Sequence, residues 1–217
     1  MTPVPPRVLV ATFNPGKARE LARLLAPAGV AVVTPGDLGV RRPYEETGST
    51  YEENARGKAA HYAALAAIAA LADDSGLEVD ALGGRPGPLS ARYGGAGLDD
   101  AARCRLLLQE LESTPERGRT ARYVAVAALA RPGTPGPAGR PAPETRLFRA
   151  TCEGRIASAM RGARGFGYDP IFYYPPFGAT FGELEDDRKD RVSHRGLALA
   201  AVTAFLESPE GIAFVQE

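Results

Sequence analysis

The amino-acid sequence predicts an α/β protein. Short apolar runs of strand length alternate with longer helix-like segments, and the first of them give strand, turn and helix between Arg7 and Leu25. At 217 residues the chain is long enough for one large domain, or two closely joined lobes, with an ample core. Hydrophobic residues at 44% and charged residues at 24% are ordinary for a soluble globular protein.

Arg7–Thr12 is an apolar run with prolines before it and the turn Phe13-Asn14-Pro15-Gly16 after it, so it reads as a buried strand. Lys17 opens a helix with Leu21, Leu24 and Leu25 on one face. Such a strand, turn and helix start make an anion site, because unpaired backbone N–H groups point outward there, with Lys17 at its lip. The glycine spacing is not that of a Walker loop. Val30–Thr34 reads as a second strand and Arg41–Gly48 as a polar loop. Thr50 and Glu53 form a capping box that starts a helix, and the alanine-rich run carries it to Ala70, with Tyr62, Leu65 and Ile68 as core candidates. A turn at Asp73-Asp74-Ser75-Gly76 precedes a strand over Leu77–Leu82. Glycines and prolines from Gly83 to Pro88, then Ser90-Ala91-Arg92-Tyr93-Gly94-Gly95, give a loop longer than ordinary connections. Asp99–Leu111 predicts a helix with Leu106, Leu107 and Leu111 apolar, and Arg122–Ala130 and Thr145–Ile156 predict strands. Arg131–Pro143, rich in Pro and Gly, predicts a flexible surface excursion. Arg164–Pro170 sets aromatics between glycines, which suits either stacking on a flat ring or plugging a core edge. Ile171–Tyr174 is strand-like, Glu183–Arg191 reads as a solvated helix face, and Ser193-His194-Arg195-Gly196 leads into a last helix over Leu197–Leu206.

Charge and cysteine usage exclude several classes. Formal net charge is zero, so no global field recommends a nucleic acid or an anionic membrane as partner. Cys104 and Cys152 lie far apart with no Cys/His cluster, which argues against a zinc site or a disulfide framework and for a reducing interior. Three prolines and a short apolar run in Met1–Val10 do not make a signal peptide, and no stretch reaches the ~20 apolar residues of a membrane helix. The expected location is cytoplasmic. One bias is informative: of 26 basic residues only Lys17, Lys58 and Lys189 are lysine, and Asn14 and Asn54 are the two asparagines. A lysine supplies a compact charge that arginine's planar fork does not reproduce, which singles these positions out.

The most chemically loaded stretch is Leu71–Val79, where an apolar run ends in Asp73 and Asp74. Adjacent carboxylates at the edge of a core are resolved by a divalent cation, a hydrogen-bonded turn or solvent. Glu45 and Glu46 have no capping role and are further candidate metal ligands.

Seven stretches, taken in order, resemble the inosine/xanthosine triphosphate pyrophosphatases, which clear non-standard purine nucleotides. They are Thr12-Phe13-Asn14-Pro15-Gly16-Lys17, Glu45-Glu46-Thr47-Gly48, Glu53-Asn54-Ala55 with Lys58, Ala72-Asp73-Asp74-Ser75-Gly76-Leu77, Ser90-Ala91-Arg92-Tyr93, Gly165-Phe166-Gly167-Tyr168-Asp169-Pro170 and Ser193-His194-Arg195-Gly196. The resemblance runs from about Arg7 to Leu206; Phe13 stands where the family usually has a small residue. It implies a single domain over residues 1–217, with a central mixed sheet flanked by helices and two lobes whose cleft holds the active site. It also implies a homodimer, Mg²⁺, and hydrolysis of ITP, dITP or XTP to the monophosphate and pyrophosphate. On that resemblance Asp74 and Lys17 are the catalytic residues, and Glu45 and Asp74 hold the metal, with Asp73 and Glu46 in or near its shell. Lys17 and the helix start behind it would grip phosphates, joined by Lys189 from the other lobe; Thr12, Phe13, Pro15 and Gly16 would also contact the substrate, and Asn14 would position ligand oxygens. Ser75 would position ligand oxygens, while Phe166, Gly167, Tyr168, Asp169, His194 and Arg195 would frame the base. A nucleotide-binding regulator without catalysis is the alternative; it would need the lysines and the aromatic loop but not the acids. Asp74-Ser75-Gly76 also matches an aspartic-protease turn, yet that chemistry needs two such carboxylates; the chain has no second Asp-Ser/Thr-Gly, and although a dimer could supply one, the other six stretches would be idle.

Overall fold

The structure, a computed structural model, describes residues 5–133 and 143–216. Residues 134–142, the bulk of the excursion expected at Arg131–Pro143, lie outside the described residues, as do 1–4 and 217. Seven strands form one mixed sheet: β1 (Arg7–Val10), β2 (Ala31–Val33), β3 (Ala69–Val79), β4 (Thr120–Arg131), β5 (Glu144–Ile156), β6 (Phe172–Tyr174) and β7 (Ala179–Thr180). Their order is β2-β1-β3-β4-β5-β6-β7. β1 runs parallel to β2 and to β3, with Leu9 opposite Val33 and Ala70, whereas β5–β6 and β6–β7 are antiparallel. Among the described residues six α-helices accompany them: α1 (Pro15–Leu25), α2 (Tyr51–Ala66), α3 (Asp100–Glu110), α4 (Asp186–Asp190), α5 (His194–Glu207) and α6 (Pro209–Gln216).

The chain forms two compact units. The first comprises the chain up to Asp74, Val126–Arg149 and everything from Ala198 on; the second comprises Ser75–Ala125 and Ala150–Leu197. The first is cored by β1, by Leu21 and Leu25 of α1, by Ala55, Ala59 and Tyr62 of α2, and by Leu199 and Val202 of α5. The second is cored by Leu77, Val79, Cys104, Leu107, Leu111, Tyr123, Phe172 and Phe181. The chain passes from one unit to the other between Asp74 and Ser75.

Local chemistry explains the helix starts. Asn14 caps α1 with Pro15 in its first turn, where a missing N–H costs nothing. The Thr50–Glu53 capping box opens α2 as the sequence predicts, and Asp99 caps α3 by accepting from Ala102 N–H at 2.7 Å.

Three expectations are corrected. Alanine composition extends α2 to Ala70, but the helix ends at Ala66 and Ala67 turns left-handed with φ 53°. Ala69–Leu71 then form the start of β3, paired with β1, because small side chains fit a strand buried on both faces and burial overrides weak helix propensity. Leu65, expected in the core, is 52% exposed near the end of that shortened helix. The Asp73–Gly76 turn is no turn: β3 runs unbroken through it, and 3-10 geometry begins only at Asp80. Among the described residues no single helix is long and apolar enough to cross a membrane.

Gly196 shows how tightly the second unit holds the start of α5. A Cβ there would lie 1.7 Å from the Asp190 carbonyl oxygen, a backbone atom that cannot swing aside. Gly196→Ala is therefore expected to cost ~1–3 kcal/mol or more in a urea melt, as overpacking does. A variant with wild-type stability would show that α5 can shift freely.

Candidate active site

In the first unit the N–H groups of the expected phosphate loop are already engaged. Asn14 Oδ1 accepts from Gly16 N–H at 2.8 Å and Lys17 N–H at 3.1 Å, and its backbone oxygen accepts from Ala18 N–H. Asn14 N–H in turn donates to Thr12 Oγ1 at 3.1 Å. The outward-pointing donors expected from sequence are thus satisfied by the helix cap itself, and an incoming phosphate has to exchange with the Asn14 carboxamide. The Phe13 ring is 42% exposed. The cation of this loop is the Lys17 side chain, whose Nζ lies 2.8 Å from Asp73 Oδ2.

Asp73 and Asp74 are both buried on β3. Successive strand residues point to opposite faces, so the two carboxylates find separate partners. Asp74 Oδ2 accepts from Asn54 Nδ2 at 3.1 Å, and Asn54 Oδ1 accepts from Gly48 N–H at 2.8 Å. One buried amide therefore ties the Glu45–Gly48 loop to Asp74. Gly48 leaves no room for a Cβ, which would meet Asn54 Oδ1 at 2.7 Å. Lys58 completes the arrangement by donating to Asp73 O at 2.9 Å and pairing closely with Glu46. Burial pushes the Asp74 carboxyl up to about 6 and the Glu46 charge adds to this, against Lys17, Lys58 and the Asn54 amide.

Of the two loop acids, Glu46 is the one whose charge reaches Asp74; Glu45 is exposed. Among the described residues no group of three His, Cys, Asp or Glu side chains is arranged to hold a metal by itself. Magnesium binds through one or two carboxylates, with water and substrate phosphates completing its shell. Asp74 with an acid of the Glu45–Glu46 loop fits that requirement as a hard-oxygen donor pair.

In the second unit Asp169 is the hub. Its Oδ2 accepts from Lys189 Nζ at 2.7 Å and Phe166 N–H at 2.9 Å, and its Oδ1 accepts from the Tyr123 hydroxyl at 3.3 Å. Gly165, at φ +72°, lies against this carboxylate, and a Cβ there would fall 2.0 Å from Asp169 Oδ2. Gly167 N–H donates to Asp100 at 2.7 Å, and the Tyr168 hydroxyl donates to Ser90 O at 2.9 Å. Lys189, expected on a solvated face as a phosphate grip, is instead 4% exposed, with its ammonium 5.3 Å from the Phe166 ring centre. Arg195 donates to Ser75 Oγ at 2.8 Å and its guanidinium lies 5.3 Å from the same ring centre. His194 stacks on Tyr123 at 4.4 Å and 8°.

The structure thus gathers Lys17, Asp73 and Asp74 in the first unit, and Ser75, Phe166, Asp169, Lys189, His194 and Arg195 in the second. Asn54 and Lys58 complete the first group; the scarcity of asparagine and lysine had marked both. Tyr123 is the unheralded member of the second, since an aromatic in an apolar strand carries no signal of its own. Both buried thiols, Cys104 and Cys152, are pushed up to about 12 by burial and stay protonated.

These features define an α/β protein with a carboxylate-and-lysine site on one strand and an aromatic, cation-flanked loop on another segment. Residues 8–205 match the Ham1 family, and the chain belongs to it. It is 47% identical over 204 residues to a dITP/XTP pyrophosphatase of Thermus thermophilus, covering 94% of this chain and 93% of that protein. It is 48% identical to one of Yersinia pseudotuberculosis, covering 89% and 94%. Among solved structures, a HAM1 protein from Coxiella burnetii superposes with TM-score 0.79 at 37% identity, covering 92% of this chain and 98% of that one. A nucleoside-triphosphatase/dITP/XTP pyrophosphatase from Mycobacterium abscessus gives 0.68 at 42%, covering 90% and 98%.

The elevated Asp74 carboxyl carries a stability prediction. Its group binds protons more tightly folded than unfolded, so its contribution is fully present below pH 3.8 and is lost as pH rises through about 6. The shift corresponds to roughly 3 kcal/mol at neutral pH. Asp74→Asn keeps an acceptor for Asn54 but does not titrate, so the variant should gain on wild type between pH 4 and 6 in metal-free melts. Parallel stability curves for the two proteins would refute the assignment.

Proposed function

We propose that this protein hydrolyses non-standard purine nucleoside triphosphates, ITP, dITP and XTP, to the monophosphate and pyrophosphate. The observation that carries this is Asp74: a buried carboxylate held by the Asn54 amide at 3.1 Å beside Lys17 and the Glu45–Glu46 loop, on a chain 47–48% identical to proteins named dITP/XTP pyrophosphatase. A carboxylate held in one orientation within hydrogen-bond reach of a water is suited to general-base work. Asp74 takes the proton of the water that attacks the α-phosphorus, and the α–β phosphoanhydride bond breaks with pyrophosphate leaving. Lys17 supplies positive charge to the phosphates once it exchanges its contact with Asp73, and Asn54 holds the Asp74 carboxylate in one orientation. Asp74 with Glu45 or Glu46 would hold Mg²⁺, which supplies a lowered water pKa and neutralises the leaving pyrophosphate.

Purine recognition falls to the second unit. The half-buried Phe166 ring offers a stacking face, and the Arg195 guanidinium offers a donor suited to O6 of a 6-oxopurine. Adenine presents a donor at that position and would leave buried groups unpaired, at ~1–3 kcal/mol each. The reaction belongs in the cytoplasm, with the nucleotide pool, and we assign the protein a homodimeric state, which sedimentation velocity reads directly. A regulator that binds nucleotide without catalysis has no use for a buried, elevated carboxylate.

The test is incubation with dITP, XTP, dATP and dGTP plus Mg²⁺, with identification of the phosphate released. Pyrophosphate and monophosphate are expected from dITP and XTP, at ~10²–10⁴-fold higher kcat/KM than dATP, the effect of two unpaired groups. Orthophosphate as the main product would sink the assignment. Asp74→Asn should lower kcat at least ~10²-fold, the usual scale of general-base loss; near-normal turnover in the folded variant would move the chemistry elsewhere.

A further inference from the structure

β4 contributes to the base-recognition half a residue that belongs to none of the seven stretches. Tyr123 is buried beneath it, and its ring lies parallel to that of His194 at 4.4 Å and 8°. On the core side its neighbours are Phe172, 4.5 Å away and tilted by 48°, and Phe181, 6.0 Å away and parallel within 8°. The start of α5 cannot slide, because Gly196 already abuts the Asp190 carbonyl. The parallel Tyr123 ring restricts rotation of the His194 side chain.

We propose that Tyr123 is a positioning residue for purine recognition, acting through its ring on His194 and so on the adjacent Arg195. The inference rests on the base-recognition role given to His194 and Arg195 above. The ring and not the hydroxyl does this: the hydroxyl's bond to Asp169 is long at 3.3 Å, whereas Lys189 and Phe166 N–H hold the same carboxylate at 2.7 and 2.9 Å. Burial, with the Asp169 charge adding, raises the phenol well above its ordinary range, so it stays neutral throughout. A flat, uncharged face of fixed orientation is what a stacked imidazole needs.

The experiment compares Tyr123→Phe, Tyr123→Met and Phe172→Leu in steady-state kinetics with dITP, beside thermal melts. Tyr123→Phe keeps the ring and should stay within ~2-fold of wild type. Tyr123→Met fills the space flexibly but removes the stack; KM for dITP should rise about 5-fold, in line with an aromatic pair, with kcat little changed. Phe172 packs in the same cluster, against Tyr123 and Phe181, so Phe172→Leu should lower the melting temperature and leave KM alone. A wild-type KM in Tyr123→Met, or an equal rise in Phe172→Leu, overturns the proposal. Should Tyr123→Met fail to fold, histidine-labelled wild-type protein decides. Only His61 and His194 give signals, and Overhauser contacts between His194 and Tyr123 should persist with dIMP bound. Their loss overturns the proposal. If wild type releases no pyrophosphate from dITP, it is the functional reading that fails, whatever the state of the stack.

Discussion

Two adjacent carboxylates buried in the middle of a strand are the constraint to which much of the first unit answers. Desolvating a charge is costly unless it is paired and hydrogen-bonded. Asp73 is met by Lys17, which α1 presents from its first turn; Asp74 is met by Asn54, which the Thr50–Glu53 capping box places one residue beyond its last member. Lys58, one turn further along α2, grips the Asp73 carbonyl and Glu46 together. The helix starts, the loop glycine and the two scarce residue types all serve one strand segment. The compensation is incomplete at Asp74, whose carboxyl stays elevated, an imbalance that weakens the fold at neutral pH.

The second unit solves a similar problem in the opposite way. Asp169 is buried, yet three donors converge on it and one of them is an ammonium. Removing either partner of such a buried pair commonly costs ~3–5 kcal/mol, so Asp169 and Lys189 act as a brace for the aromatic loop. Phe166 is pinned by its backbone N–H and overlain by two cations, which restrict the orientation of its ring. Rigidity here and strain at Asp74 fit the separate tasks assigned to them: recognition needs fixed donors, and proton transfer needs a poised acid.

Lys17 and Lys189 show the limit of reading residue types alone. Both stood out as lysines in an arginine-rich chain, and both were expected to grip phosphate. In the structure Lys17 is partly accessible and shares its charge with Asp73, whereas Lys189 is sealed against Asp169 and two aromatic rings. The same scarcity marks a position that needs a compact cation, without distinguishing a ligand contact from an internal brace.

What the sequence determined by itself was the order of the longer strands and helices, the capping box of α2, and the seven stretches that carry the family likeness. These are local: capping boxes, N-cap asparagine, proline at a helix start and glycine at a crowded turn act over a few residues and leave a readable signature. Tertiary structure decided the rest. It cut α2 at Ala66 and turned the following alanines into a buried strand, because packing on both faces outweighs propensity. It also turned an expected Asp-Asp turn into the middle of β3, and it filled the α1 N–H groups with the Asn14 side chain. Tyr123 became the support of His194 through a contact 71 residues away in sequence, which no local pattern encodes. Contacts of that range depend on which faces are buried together, and burial is a property of the folded chain.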